Sequence, residues 1–129
     1  MILDTSALIA ILYDEPDAEI YANAMSAATA CRLSAATFVE VAIVVEAQTK
    51  GRGSRALDSL LRRANVVIEP VTAEQAHLAR EAFAEFGKGR HRAGLNFGDC
   101  FGYALAKATG EPLLYKGGDF KKTDVVSAI

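Results

Sequence analysis

Met1-Ile2-Leu3-Asp4-Thr5-Ser6-Ala7-Leu8 opens the chain, and its reading decides the fold. An apolar run stops on an acid, and two hydroxyl residues follow that can cap a helix beginning at Ala7. A strand that turns at once into a helix is half of a βαβ unit, and the same alternation recurs downstream. Cys31–Ser34, Val66–Val71 and Pro112–Tyr115 read as further strands, and Val125–Ile129 as a last short one. Between them Ala18–Ala28, Ala36–Thr49, Arg55–Ala64, Ala73–Phe86 and Phe97–Thr109 carry helical patterns. Their punctuation is legible too. Asp14-Glu15-Pro16-Asp17 breaks the first helix, Gly51-Arg52-Gly53 makes a turn before a Ser54 cap, and Thr72 with Gln75 forms a capping box. Gly87–Leu95 is a loop, and Gly110 ends the helix before it. Strands separated by helices call for a parallel sheet covered on both faces, an α/β architecture.

Composition bounds the rest. A chain of 129 residues, 51% hydrophobic and 23% charged, reads as one domain over 1–129 with a core of its own and excludes disorder. Cys31 and Cys100 lack metal-site spacing and read as buried reduced thiols. No basic-then-apolar leader opens the chain, and no stretch approaches the ~18 apolar residues that span a bilayer, so a cytoplasmic protein with no membrane partner is expected.

Four acids stand where a solvated carboxylate is out of place. Asp4 ends the first strand, Glu40 interrupts an apolar helix, Asp99 lies in Asn96-Phe97-Gly98-Asp99-Cys100-Phe101, and Asp119 follows the strand Pro112–Tyr115. Ligands of such a sheet bind beyond the carboxyl ends of its strands, and the topology can bring all four acids to that rim. Buried carboxylates are costly unless paired or metal-bound, and a cluster of hard oxygen donors suits Mg²⁺ or Mn²⁺. Asp4 and Asp99, short side chains at rigid element ends, are the expected direct ligands. Glu40, one methylene longer, is placed to orient a metal-bound water, and Asp119 to hold a second cation or a water. The chemistry implied is metal-assisted phosphodiester hydrolysis.

Basic residues surround these positions. Lys88, Arg90, His91 and Arg92 crowd the loop before Asp99, and Lys116, Lys121 and Lys122 flank Asp119. The net charge of −2 also shifts in meaning, because without the four acids 12 others face 14 Lys and Arg. A polyanionic substrate fits, with Arg90, Arg92 and Lys116 as its contacts. The run of Leu8, Ile9, Ile11 and Leu12 offers more apolar surface than one sheet face requires, so part of it is expected to meet a partner or a second copy.

The opening octapeptide, Glu40, and the ordered pair KGRHRAGLNFGDCFGYALAK (88–107) and PLLYKGGDF (112–120) resemble PIN-domain proteins, above all the VapC toxins of bacterial VapBC pairs. The resemblance covers essentially the whole chain. It implies a three-layer α/β/α PIN-like fold with a central, mainly parallel sheet, and an endoribonuclease dependent on Mg²⁺ or Mn²⁺. It assigns the catalytic site to Asp4, Glu40, Asp99 and Asp119. It also implies an RNA substrate, a homodimer and a VapB-type antitoxin whose C-terminal segment covers the site. Many PIN domains carry another acid two positions before the Asp-Phe pair; here that position is Gly117, which depletes a second metal site. Two rivals keep the fold: a housekeeping RNA-processing nuclease, and an inactive RNA-binding module. An aspartyl-phosphatase reading fails at Ser6, where its second acid belongs.

Overall fold

The computed structural model describes residues 1–49 and 52–129. In chain order the elements are β1 (Ile2–Leu3), α1 (Thr5–Leu12), α2 (Ala18–Ala27), β2 (Arg32–Ser34), α3 (Ala35–Thr49) and α4 (Arg52–Arg63). There follow β3 (Val67–Glu69), α5 (Ala73–Phe86), α6 (Asp99–Thr109), β4 (Leu113–Leu114) and a 3-10 turn at Phe120–Lys122. The strands form one sheet in the order β3-β2-β1-β4, and every pairing is parallel. The chain therefore winds outward from β1 to β3 and then crosses back to add β4 on the other side of β1. With right-handed crossovers, that reversal puts the later helices on the opposite face.

Side-chain alternation confirms the layers. Leu3 and Leu114 point into a core shared with Leu8, Val41, Val45 and Leu57 from α1, α3 and α4. Their neighbours Ile2 and Leu113 point into a second core with Ala82, Phe86, Tyr103 and Leu105 from α5 and α6. This is the three-layer α/β/α arrangement expected. Cys31 and Cys100 are free and buried. Burial, and then the charge of Asp99, pushes the Cys100 thiol up to about 11. Among the described residues no helix is long and apolar enough to cross a membrane.

The differences from expectation lie at element ends. α1 starts at Thr5 because its cap is the Asp4 carboxylate and not a hydroxyl. Residue 51 of the expected turn lies outside the described residues, while Arg52 and Gly53 already belong to α4, so Ser54 does not cap that helix. Instead the Ser54 hydroxyl donates to Glu46 at 2.8 Å. The last expected strand reduces to a bridge between Leu113 and Ser127. The surplus apolar surface is also elsewhere. Leu8 is fully buried and Ile9, Ile11 and Leu12 pack against the core, whereas Val39 and Ile43 on α3 and Phe97 before α6 are exposed.

Candidate active site

β1 lies between β2 and β4, where the winding reverses, and its carboxyl end opens into the crevice such a reversal creates. Asp4 occupies that end. It is 3% exposed, its N–H donates to the Leu114 carbonyl at 3.0 Å, and its Oδ2 accepts from the Ser6 N–H at 2.9 Å and the Ser6 hydroxyl at 2.5 Å. Burial raises its pKa, the Ser6 hydrogen bonds oppose the rise, and the charge of Glu40 adds to it. The Ser6 Oγ in turn accepts the Lys116 N–H at 2.9 Å. One hydroxyl thus ties the end of β1 to the segment that leaves β4 and carries Asp119.

Glu40 projects from the second turn of α3, and its Oε2 accepts a hydrogen bond from the Thr5 hydroxyl at 2.5 Å. Asp99 is the first residue of α6, held by a reciprocal pair. Asn96 N–H donates to Asp99 Oδ2 at 2.8 Å, and Asp99 N–H donates to Asn96 Oδ1 at 2.9 Å. The exchange closes the turn ahead of α6, which begins two residues later than the apolar pattern from Phe97 suggested. One turn on, a Cβ at Gly102 would sit 3.5 Å from Asp4 Oδ1, so α6 packs its backbone close to that carboxylate. Asp119 is exposed just before the 3-10 turn, which Phe120 anchors by packing on Tyr115 with ring centroids 5.1 Å apart.

Electrostatics registers the convergence. Burial is the main reason that the Asp99 carboxyl is pushed up to about 6; the charges of Asp4, Glu40 and Asp119 all add to it, and the Asn96 N–H works against them. Asp99 thus lies within electrostatic reach of the other three acids singled out in the sequence. Among the described residues none of the four takes part in an ion pair. Nor, among those residues, do three or more His, Cys, Asp or Glu side chains stand close enough together to hold a metal ion by themselves. The donor set is all oxygen, uncompensated and open on the Asp119 side, which fits a hard divalent cation that keeps several waters.

The basic residues divide. The loop after α5 is pinned by the Leu95 N–H to the Phe86 carbonyl at 3.0 Å and by His91, whose ring packs edge-on against Phe86 with centroids 5.3 Å apart. His91 Nδ1 also accepts the Ala93 N–H at 3.1 Å, so this histidine shapes the loop. Arg90 and Arg92 are exposed and, among the described residues, make no ion pair. Lys116 does: its ammonium pairs with Glu15 and, at 2.5 Å, with Asp17, and these hydrogen bonds raise its pKa. Sequence reasoning missed the use of Thr5 and Ser6 as donors to the acids, and missed Asn96 and Gly98 altogether. The spacing of Asn96 to Asp99 is itself a capping signal, so Asn96 was open to discovery.

The family model for the PIN domain matches residues 1–126. The chain is 56% identical over 130 residues to ribonuclease VapC28 of Mycobacterium tuberculosis, covering 100% of this chain and 98% of that one. It is 53% identical over 127 residues to a ribonuclease VapC of Mycolicibacterium smegmatis, covering 98% of each. Its fold is similar to that of Mycobacterium tuberculosis VapC20, described as a sarcin-ricin loop cleaving toxin. The TM-score is 0.78 at 18% identity over 97% of this chain and 95% of that one. A chain of a toxin–antitoxin complex from Klebsiella pneumoniae matches with a TM-score of 0.73 at 18% identity, over 99% of this chain and 97% of that one.

Proposed function

The chain belongs to the PIN-domain family, and from that premise we propose that it is a VapC-type endoribonuclease, the toxin of a type II toxin–antitoxin pair. One nuclease domain spanning 1–129 hydrolyses RNA phosphodiester bonds with Mg²⁺ or Mn²⁺. The observation that carries this reading is the gathering of four carboxylates, without an ion-pair partner among the described residues, at the switch point of a parallel sheet. A buried acid such as Asp4 kept only for stability would be paired, because unpaired burial costs free energy.

Asp4 and Asp99 are the residues that would hold the cation. When bound, it lowers the pKa of a coordinated water and neutralises charge building on the phosphate. Glu40 accepts the proton of the attacking water: Thr5 fixes one of its oxygens and leaves the other free. Asp119 completes the negative rim and orients water there. Gly117 stands where a further acid would support a second ion, which favours chemistry with one. Arg90 and Arg92 contact the RNA backbone. Lys116 reaches a phosphate only by leaving Glu15 and Asp17, so its part is to hold the segment before Asp119 in place.

The partner is a cognate VapB-type antitoxin, which inserts an Arg among the acids and so competes with the cation. The toxin acts as a homodimer in the bacterial cytoplasm. Co-expression with the product of the adjacent reading frame tests the pairing. It is expected to relieve growth arrest through a complex that loses inhibition when one antitoxin Arg becomes Glu. A neighbour that neither binds nor relieves arrest overturns the toxin assignment.

A further inference from the structure

Building on the assignment of the four acids, the geometry points to Gly98 and Thr5 as the pair that fixes where the Glu40 carboxylate stands. Gly98 acts by having no side chain, and Thr5 by donating a hydrogen bond.

Gly98 has φ −64° and ψ −45°, an ordinary right-handed helical conformation open to any L-residue, so its backbone does not require glycine. Space does. A Cβ at this position would overlap Oε1 and Cδ of Glu40 and lie 2.7 Å from Oε2. The glycine cannot back away, because the Asn96–Asp99 exchange closes the turn around it and its carbonyl accepts the Phe101 N–H at 3.1 Å. The base of Glu40 is equally fixed, since α3 is locked beside it by fully buried Val41. What can yield is the far end of the Glu40 side chain. The Thr5 hydroxyl holds that end from the other side at 2.5 Å. Thr5 follows Asp4 and Gly98 precedes Asp99, so the two expected cation ligands are each adjacent in the chain to one wall of the Glu40 slot. A residue with any side chain at position 98 would leave the fold intact and move the general base.

Gly98→Ala is therefore expected to keep the wild-type melting temperature, to lower kcat about a hundredfold, and to leave KM within about twofold. Glu40→Asp, one methylene shorter, makes room for the added methyl. The double variant Gly98→Ala/Glu40→Asp is expected to turn over no more slowly than Glu40→Asp alone, where independent roles would multiply the losses. Thr5→Val is expected to lower kcat at constant KM, with Thr5→Ser near wild type; this pair carries the test even where Gly98→Ala fails to fold. Wild-type turnover by Gly98→Ala, or multiplied losses in the double variant, overturns the inference. Glu40→Gln measured alongside separates the two levels. An inactive Glu40→Gln beside a fully active Gly98→Ala overturns this inference alone. A fully active Glu40→Gln removes Glu40 from the chemistry, and the four-acid reading falls with it.

Discussion

The two ends of the sheet treat acids in opposite ways. At the amino end Glu111 takes the Met1 ammonium and, at 2.8 Å, Arg32, whose guanidinium also reaches along the sheet to Glu69, the last residue of β3, at 2.6 Å. Burial pushes the Glu111 carboxyl up, but the Met1 ammonium and Arg32 outweigh it and hold it below its ordinary range. At the carboxyl end Asp4 is more deeply buried, yet among the described residues its carboxylate accepts only from neutral groups, those of Ser6 and the Thr5 backbone, and Asp99 beside it rises to about 6. The first arrangement lowers the free energy of the fold and the second raises it. A chain that keeps the second has placed negative charge where a ligand, and not its own cations, neutralises it.

The contrast breaks most visibly through activity. Asp4→Ala or Asp99→Ala is expected to cost at least about a thousandfold in single-turnover RNA cleavage with Mn²⁺ while the fold persists. Arg32→Ala at the paired end is expected to leave cleavage near wild type and to lower stability only slightly by urea titration. Equal effects of the two substitutions on cleavage would erase the distinction between the ends.

Glu40→Gln keeps the shape and removes the charge. Turnover is expected to fall about a hundredfold with RNA affinity little changed, measured by single-turnover kinetics beside filter binding. Lost binding with intact cleavage would move Glu40 from proton transfer to substrate positioning.

The free cations come next. Replacing both Arg90 and Arg92 with Ala is expected to weaken binding to RNAs of any sequence about tenfold. It should also flatten the log–log salt dependence by about 0.7 per lost phosphate contact. An unaltered slope would return the loop to ordinary solvated surface.

The smallest effect is on stability. The folded Asp99 carboxyl titrates above its ordinary value of 3.8, at about 6, so the folded chain prefers the protonated form. The contribution of Asp99 to the stability of the metal-free protein is therefore fullest below pH ~4 and is lost as pH rises through about 6. Asp99→Asn is expected to remove that decline and add about 1 kcal/mol at neutral pH, a figure reduced for solvent screening. Thermal melting across pH 4 to 7 in EDTA checks the sign. A stability difference between Asp99→Asn and wild type that does not grow over that interval would contradict the crowding of the acids.

What the sequence disclosed follows from how far each determinant reaches along the chain. The bounds Ala73–Phe86 were legible to the residue because Thr72 caps the Gln75 N–H within one turn and Gly87 follows the last turn. The acids were legible because an isolated charge in an apolar run is improbable by itself. The ion pairs of Lys116 were not legible because Glu15 and Asp17 stand about a hundred residues away in the chain, and proximity to Asp119 was the only local cue. Gly98 was invisible for the same reason: what a side chain there would displace is the carboxylate of Glu40, on another helix.

The sheet's two margins also differ, with a consequence for the molecule outside any complex. Beyond β4, Leu113 donates its N–H to Val126 and accepts from Ala128, both at 2.9 Å, so that margin is occupied by the chain's own last residues. Beyond β3 no strand pairs among the described residues, and Val67 and Ile68 are exposed. Such a margin invites strand-to-strand stacking between molecules. Its brevity is the safeguard: β3 ends at Glu69, and Pro70 next to it has no N–H to offer an incoming strand. An incoming strand therefore meets an edge too short, and too soon closed by proline, to extend a ladder.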